Sequence, residues 1–335
     1  MKIIYFAEEA WEEGYMREKL PGVEMVCYIG SLQDNAGVTD ASADALSVFV
    51  NSTIGKEELD RFPNLKLIAT RSTGFDHIDL YEVRKRNVAV VSVPSYGVNT
   101  VAEFAFALIL ALSRRICDAR RQVTETGSFS QEGFTGFDLA GKTIGLIGCG
   151  NIGIHTVKIA LGFGMRPLVY DVRHDMELAE KTGFTYVELP ELLAQSDVIS
   201  LHVPYNAHTH HIINSENISQ IKKGAYLVNT ARGAVVETAA VVRALESGIL
   251  AGAGLDVLEH EDDMKNEGNF LLKENQNEEE LKTVVANQYL IDHPRVIITP
   301  HIAFDTVEAV KRILDTTAEN IAAYQEGTPQ NLLAA

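Results

Sequence analysis

Three cysteines in 335 residues, Cys27, Cys117 and Cys149, stand far apart in apolar surroundings and without metal-ligand spacing. Thiols this sparse exclude a disulfide framework and a cysteine-built metal centre, and they suit a reducing compartment, so a cytoplasmic address is expected. Basic residues are also scarce, with 29 Lys and Arg against 46 Asp and Glu and a net charge of −17. The short pairs Arg114-Arg115 and Arg120-Arg121 look like the polar face of a helix. A phosphate backbone needs a basic face, so nucleic acid is not an expected partner. Long apolar runs are missing too: Val101 to Leu112 is interrupted by Glu103 and falls short of the roughly 20 residues of a membrane span. The opening run Met1 to Ala7 soon meets Glu8 and Glu9, which makes it too short for a signal peptide and fit for a first buried strand. No internal repeat or low-complexity tract occurs.

What is present is alternation. Short β-branched runs, "KIIYFA", "VEMVCYI", "ALSVFVN", "LKLIATR" and "VAVVSVP", are separated by helical stretches. After residue 140 a second series begins with "TIGLIG", "RPLVYD", "DVISLHV", "AYLVNTA", "AGAGLDV" and "RVIITP". Strands spaced by helices predict parallel sheets covered on both faces, here two in succession. Between the series, Asn99 to about Arg121 carries apolar residues at helical spacing with no internal Gly or Pro. It reads as one linking helix, apolar over most of its circumference and so buried against the other domain or a second subunit. The stretch "EAVKRILDTTAENIAAYQEG" is an amphipathic helix with no strand after it, placed to return to the first domain. Glu261 to His293, containing "KENQNEEE", reads as an acidic, irregular surface excursion.

Gly148, Gly150 and Gly153 have the spacing G-x-G-x-x-G, directly after a strand and before a helix. In that context the first glycine makes a tight turn, the second lets pyrophosphate approach the backbone, and the third permits close helix packing. The helix N-terminus then offers N–H groups to the phosphates. The next strand ends in Asp171, near the spacing at which an acid accepts from both adenosine ribose hydroxyls and repels a 2′-phosphate. NAD is therefore the expected cofactor, with Arg173 as the feature that argues for NADP.

Arg232 ends the apolar run "AYLVNTARG", where a guanidinium is costly to desolvate unless an anion or solvent meets it. Two further loops belong to the same strand edge, "DVLEHE" over Asp256 to Glu261 and Thr299-Pro300-His301. An arginine, a carboxylate and a histidine converging there suit hydride transfer. The arginine grips a substrate carboxylate bidentately, the histidine gives a proton to the carbonyl oxygen, and the carboxylate orients the imidazole. Taken singly, each also fits a structural role: a surface salt bridge for Arg232, a loop cap for His301, one more solvated acid for Glu261. His208, His210 and His211 resemble a metal cluster but lack a matching acid or cysteine spacing and read as surface residues; no metal is expected.

The segments "GLIGCGNIG", "LVNTARG", "GLDVLEHE" and "ITPHIAF" resemble the D-isomer-specific 2-hydroxyacid dehydrogenases. "TRSTGFDHIDL" and "SLHVPYNAHTHHIIN" look most like the D-lactate dehydrogenase branch, and the likeness runs in order through nearly the whole chain. It implies an α/β fold of two doubly wound parallel-sheet domains with a cleft between them. A flavodoxin-like substrate domain would hold residues 1–99 and 302–335, and a Rossmann-like NAD domain residues 100–301. It also implies a homodimer built on the helix 99–121, and reduction of pyruvate or of a larger or more polar 2-oxo acid. By motif, Arg232 matches the substrate-binding arginine, Glu261 the histidine-orienting acid and His301 the acid/base. Ser72, Thr73 and Gly74 match a loop that holds the substrate carboxylate, a plausible anion nest. Tyr96 and Phe304 match pocket walls, while Asn51 and Asp305 depart from an aromatic pattern. Asn151 and Ile152 fall in the phosphate loop, and Val203, Pro204, Thr209, Thr230, Ala231 and Asp256 match further cofactor contacts. Some relatives with this fold are nicotinamide-sensing corepressors; with no tail visible beyond the compact domains, an enzyme is expected.

Overall fold

The computed structural model describes residues 1–261 and 278–333. These divide into two units, residues 1–96 with 306–335 and residues 97–305.

In the first unit the chain runs β1 (Lys2–Ala7), α1 (Ala10–Lys19), β2 (Glu24–Ile29), β3 (Ala45–Val48), α2 (Lys56–Asp60), β4 (Leu67–Thr70), α3 (Leu80–Lys85) and β5 (Ala89–Val91). All strand pairs are parallel, in the order β2-β1-β3-β4-β5. Period-two alternation sorts the side chains to two faces. Ile4, Phe6, Leu46, Val48 and Ile68 pack with Leu59, Phe62 and Val83 of α2, its following turn and α3. Ile3, Tyr5, Ala45, Leu67 and Ala69 pack with Met16 of α1 and with Leu314, Ala318 and Ile321 of the C-terminal helix Val307–Gln325. Both faces are covered, which is why the strands read as continuous apolar runs.

The second unit begins with α4 (Val98–Ser113) and α5 (Ile116–Thr126). One helix over 99–121 was expected; two are found. Arg115 adopts a left-handed backbone (φ 52°). Its guanidinium ties back to Asp118 at 3.0 and 3.2 Å and to the Gly133 carbonyl. The break is held by side-chain bonds rather than by Gly or Pro, so apolar spacing did not reveal it. The chain continues through β6 (Thr143–Ile147), α6 (Asn151–Gly162), β7 (Arg166–Tyr170), α7 (Met176–Thr182), β8 (Thr185–Tyr186), α8 (Leu189–Gln195), β9 (Val198–Leu201), β10 (Ala225–Asn229), α9 (Thr238–Glu246), β11 (Leu250–Leu255), α10 (Glu278–Asp292) and β12 (Val296–Ile298). The parallel sheet has the order β12-β11-β10-β9-β6-β7-β8. Helices α4 and α6 cover one face through Phe106, Ile109, Val157 and Ala160. The other face is covered by α8 and α9 through Leu192, Leu193, Val241 and Leu245.

The fold is thus the expected α/β arrangement with two parallel sheets. Besides the break between α4 and α5, two details differ from the sequence reading. The edge strand β8 is an addition of two residues, and 278–292, expected to be irregular, is the helix α10. Residues 262–277 of that acidic segment lie outside the described residues.

Candidate active site

In the second unit the strand order reverses between β6 and β9, which places a crevice at their carboxyl ends. Gly148 follows β6 there with φ 96°, and a Cβ on it would stand 2.7 Å from the His202 carbonyl oxygen. A Cβ on Gly153 would stand 2.3 Å from the Gly148 oxygen. Backbone meets backbone at both positions, so side chains are excluded and the loop passes flat over the sheet edge into α6, with Gly150 at its N-cap. The first-turn N–H groups of α6, around Asn151, Ile152 and Gly153, have no acceptor within the helix and point toward the crevice. Asp171, at the end of β7, accepts the Cys149 N–H on Oδ2 (2.7 Å) and the Arg173 N–H on Oδ1 (2.9 Å). It therefore fastens the glycine loop while each oxygen keeps further accepting capacity for ribose hydroxyls. Burial, reinforced by Asp171, pushes the Cys149 thiol up to about 11. The loop keeps a neutral thiol, and no thiolate repels a pyrophosphate.

Strands β10, β11 and β12 are neighbours, and their carboxyl-end loops carry Arg232, Glu261 and His301. Arg232 sits in extended backbone at the start of a short 3-10 turn over Gly233–Val235. Asn229, buried at the end of β10, shapes that turn. Its Nδ2 donates to the Arg232 carbonyl (2.8 Å), and its Oδ1 accepts the Ala231 N–H (3.0 Å). Arg232 Nη1 donates to the Ala231 carbonyl at 2.7 Å.

His301 Nδ1 lies 2.7 Å from Glu261 Oε1, and Glu261 Oε2 accepts the Leu258 N–H at 3.3 Å. With Nδ1 committed to the carboxylate, Nε2 is the ring nitrogen left for proton transfer. The backbone of His301 is left-handed (φ 56°), a conformation of a kind that clusters at functional sites. Its N–H donates to the carbonyls of Asp256 (2.8 Å) and Thr299 (3.0 Å). The Asp256 carboxylate completes the bracket by accepting from Thr299 Oγ1 (2.5 Å), Ile302 N (3.0 Å) and Ala303 N (2.8 Å). Burial raises the Asp256 pKa, and these donors pull the other way. Asp256, read as a cofactor contact, is in this structure the residue that fixes the His301 loop to β11.

Thr230 carries a different signal. Its hydroxyl oxygen is buried and has no hydrogen-bond partner among the described residues, which is costly unless a ligand supplies one. Together with the glycine cradle, this unfilled bond shows that the residues present fit a dinucleotide. Val203 and Pro204 follow β9 at the same edge, and Thr209 Oγ1 donates to the Pro204 carbonyl (2.6 Å), closing that loop. Ala231 lies inside the Asn229 bracket. Phe304 follows Ala303 and is half-buried.

In the first unit Ser72 and Thr73 follow β4. Ser72 Oγ donates to the Gly74 carbonyl (2.6 Å) and meets Thr70 Oγ1 (2.7 Å), while Thr73 Oγ1 donates to the Val93 carbonyl (2.7 Å). Both hydroxyls are spent shaping the loop, which leaves backbone N–H groups as the donors it could offer an anion. Arg71, 1% exposed, underlies it. Its guanidinium faces the Tyr5 ring at 4.5 Å, donates to the Phe6 carbonyl at 2.6 Å and lies 3.8 Å from both Glu8 and Glu12. Asn51 Nδ2 donates to the Glu8 carboxylate at 2.9 and 3.2 Å. Burial raises the Glu8 pKa against the pull of Arg71. Tyr96 is half-buried, and its carbonyl accepts from Arg312 Nε at 2.5 Å.

Asn229 and Arg71 were not singled out from sequence. A polar residue ending an apolar strand and an arginine beside a candidate anion loop were the available signals. His211, read as a surface residue, instead contacts Glu259 at 2.6 Å. Among the described residues no group of three His, Cys, Asp or Glu could hold a metal ion, and no helix is long and apolar enough to cross a membrane.

A glycine cradle at the switch point, a His–carboxylate pair and an arginine on neighbouring strand ends define a nicotinamide-dependent oxidoreductase site, and the chain belongs to the D-isomer-specific 2-hydroxyacid dehydrogenase family. Residues 106–303 match the model of that family's NAD-binding domain. The protein is accordingly an NAD-dependent dehydrogenase of the 2-hydroxyacid type. Among its relatives, a glyoxylate reductase of Thermofilum pendens is 40% identical over 290 residues, 85% of this chain and 79% of that protein. D-lactate dehydrogenase of Escherichia coli is 34% identical over 331 residues, 98% of each chain. Among solved structures, D-lactate dehydrogenase from Aquifex aeolicus complexed with NAD and lactic acid superposes with a TM-score of 0.84 at 37% identity, covering 97% of this chain and 96% of that one.

Proposed function

We propose that this chain reduces a short 2-oxo acid with NADH, and that pyruvate, reduced to D-lactate, is its principal substrate. The observation that carries the reading is the His301–Glu261 pair on a loop bracketed by Asp256, one strand removed from the Arg232 turn. Bound NADH supplies the hydride. Arg232 binds the substrate carboxylate and polarises the carbonyl, His301 Nε2 delivers the proton to the carbonyl oxygen, and Glu261 orients the ring and stabilises its positive charge. By motif, the Ser72–Gly74 loop is assigned to a substrate carboxylate, and Tyr96 and Phe304 to pocket walls. A homodimer belongs to this reading through the family resemblance, and a cytoplasmic address through the sparse free cysteines. The glyoxylate reductases among the relatives favour a second reading, in which the smaller glyoxylate is the better substrate.

Purified protein should oxidise NADH with pyruvate and yield D-lactate on chiral chromatography. A higher kcat/KM for glyoxylate would select the second reading, and no turnover of either acid would end both. In the same assay, Arg232→Lys keeps the charge and loses the planar fork. Its KM for the oxo acid should rise and its kcat fall, with NADH affinity little changed.

The same reading gives Asp171 to the adenosine ribose, so NADH should be preferred over NADPH by about tenfold or more in kcat/KM, a difference of roughly 1.4 kcal/mol. Asp171→Ala should narrow that ratio and also weaken NADH binding, because the Cys149 and Arg173 N–H groups lose their acceptor. Equal efficiency with both cofactors in the unaltered protein would remove Asp171 from this role.

A further inference from the structure

His211 and Glu259 form a second histidine–carboxylate pair in the second unit, distinct from His301 and Glu261. Glu259 Oε1 lies 2.6 Å from His211 Nε2, and Oε2 accepts both the N–H and the hydroxyl of Thr238 at 2.7 Å. The Glu259 side chain is only 10% exposed, so its carboxylate depends on these donors rather than on water. Its carbonyl accepts from Asn287 Nδ2 at 2.7 Å, which ties α10 to the same point.

The partners come from different segments, all of them leading to the Arg232 turn. Thr238 opens α9, into which that turn runs directly. The His211 backbone N–H donates to the Ala234 carbonyl (2.9 Å), and Ile213 bridges to Val236 two residues further along. On the opposite side, Leu258 and Glu259 press so closely on Gly233 that a Cβ there would stand 2.0 Å from the Leu258 oxygen and 2.4 Å from the Glu259 nitrogen. Glu259 is also two residues before Glu261. The hexapeptide Asp256–Glu261 therefore carries three carboxylates with different neighbours: Asp256 on the His301 loop, Glu261 on the histidine of the candidate proton-transfer site and Glu259 on the frame behind the arginine.

We propose that Glu259 is a positioning residue for Arg232: its carboxylate clamps the turn carrying the guanidinium to the loop carrying Glu261, with His211 and Thr238 as the two jaws. Without the carboxylate, the Thr238 N–H and the His211 ring lose their shared acceptor, and the Arg232–Val236 turn is released from the 258–261 loop. A bidentate contact tolerates little displacement. The effect therefore falls on oxo-acid binding and turnover rather than on NADH. The inference rests on the reading of Arg232 as the substrate-binding arginine.

The test compares Glu259→Ala, Glu259→Gln and Arg232→Lys in the full chain, measuring KM and kcat for pyruvate and glyoxylate, NADH binding by fluorescence, and Tm. Glu259→Ala should lose about 10- to 100-fold in kcat/KM for the oxo acid, while NADH affinity stays within about twofold. Glu259→Gln, which keeps an acceptor for Thr238 and a polar partner for His211, should recover most of that loss. If Arg232→Lys is impaired and Glu259→Ala lowers Tm yet keeps its kcat/KM, Glu259 merely caps α9 and the inference falls alone. If Arg232→Lys leaves KM and kcat unchanged, the reading of Arg232 falls and the inference with it. Should Glu259→Ala not fold, Thr238→Val removes the hydroxyl contact of one jaw, leaving its N–H, and His211→Asn removes the ring of the other. A raised oxo-acid KM in both, with unchanged NADH affinity, supports the clamp, and an unchanged KM in both overturns it.

Discussion

His301→Ala should lower reduction of the 2-oxo acid by about 10²- to 10⁴-fold at every pH, the range for a lost general acid. NADH affinity should stay close to that of the unaltered protein. Alanine removes the imidazole that the proposed mechanism uses as proton donor, and solvent water is a poor substitute. Glu261→Gln should cost less. Glutamine can still accept the Nδ1 hydrogen bond, so the ring keeps its orientation, but the negative charge that steadies the protonated ring is gone. A primary isotope effect with deuterated NADH establishes that hydride transfer limits the rate in the variants compared. If His301→Ala retains activity within about tenfold of the parent under that condition, the proton comes from elsewhere and the assignment fails.

The second large effect concerns a residue with no side chain. Gly233→Ala would place a methyl carbon 2.0 Å from the Leu258 oxygen, 2.1 Å from its carbonyl carbon and 2.4 Å from the Glu259 nitrogen. All three are backbone atoms, so no rotamer change relieves the overlap. Either the Arg232 turn or the 258–261 loop must move, and each carries a residue assigned to the chemistry. Overpacking of this kind costs about 1–3 kcal/mol or more, which for a unit the size of residues 97–305 lowers Tm by roughly 2–4 °C per kcal/mol. Displacement of the two loops should in addition reduce kcat/KM by about 100-fold. Thermal melts and steady-state kinetics on the same preparation check both parts. A variant with the parent's Tm and kcat/KM would show that the two loops do not approach so closely.

The alternation of apolar runs and helical stretches carried both sheets, because strands buried on two faces leave a signature in composition alone. Ile3 to Ala7 and Ala225 to Asn229 are examples. The glycine loop was legible for a related reason: at Gly148 and Gly153 backbone contacts forbid a Cβ, and a steric demand that strict appears as a fixed residue type at fixed spacing. Features resting on long-range side-chain bonds were not legible. The break at Arg115 depends on Asp118 and on a carbonyl at Gly133. Helix α10, with Leu281, Val285, Tyr289 and Ile291 exposed, gives no clean apolar stripe, and the acidic run before it masked the pattern further. His211 looked like one of three surface histidines because its partner lies 48 positions away in sequence. The individual loops of the candidate site could be read from local motifs, but Asn229 and the bracket formed by Asp256 became visible only with the strand order.

That bracket bears on the timing of order along a catalytic cycle. The His301 loop is anchored at four successive points, Thr299 by its hydroxyl and His301, Ile302 and Ala303 by their amides, all of them to Asp256. On the proposed reading, the entropy of arranging the His301–Glu261 pair is lost once, during folding, and not again with each substrate molecule. Arrival of the oxo acid need not assemble the His301–Glu261 pair, and departure of the product need not dissolve it.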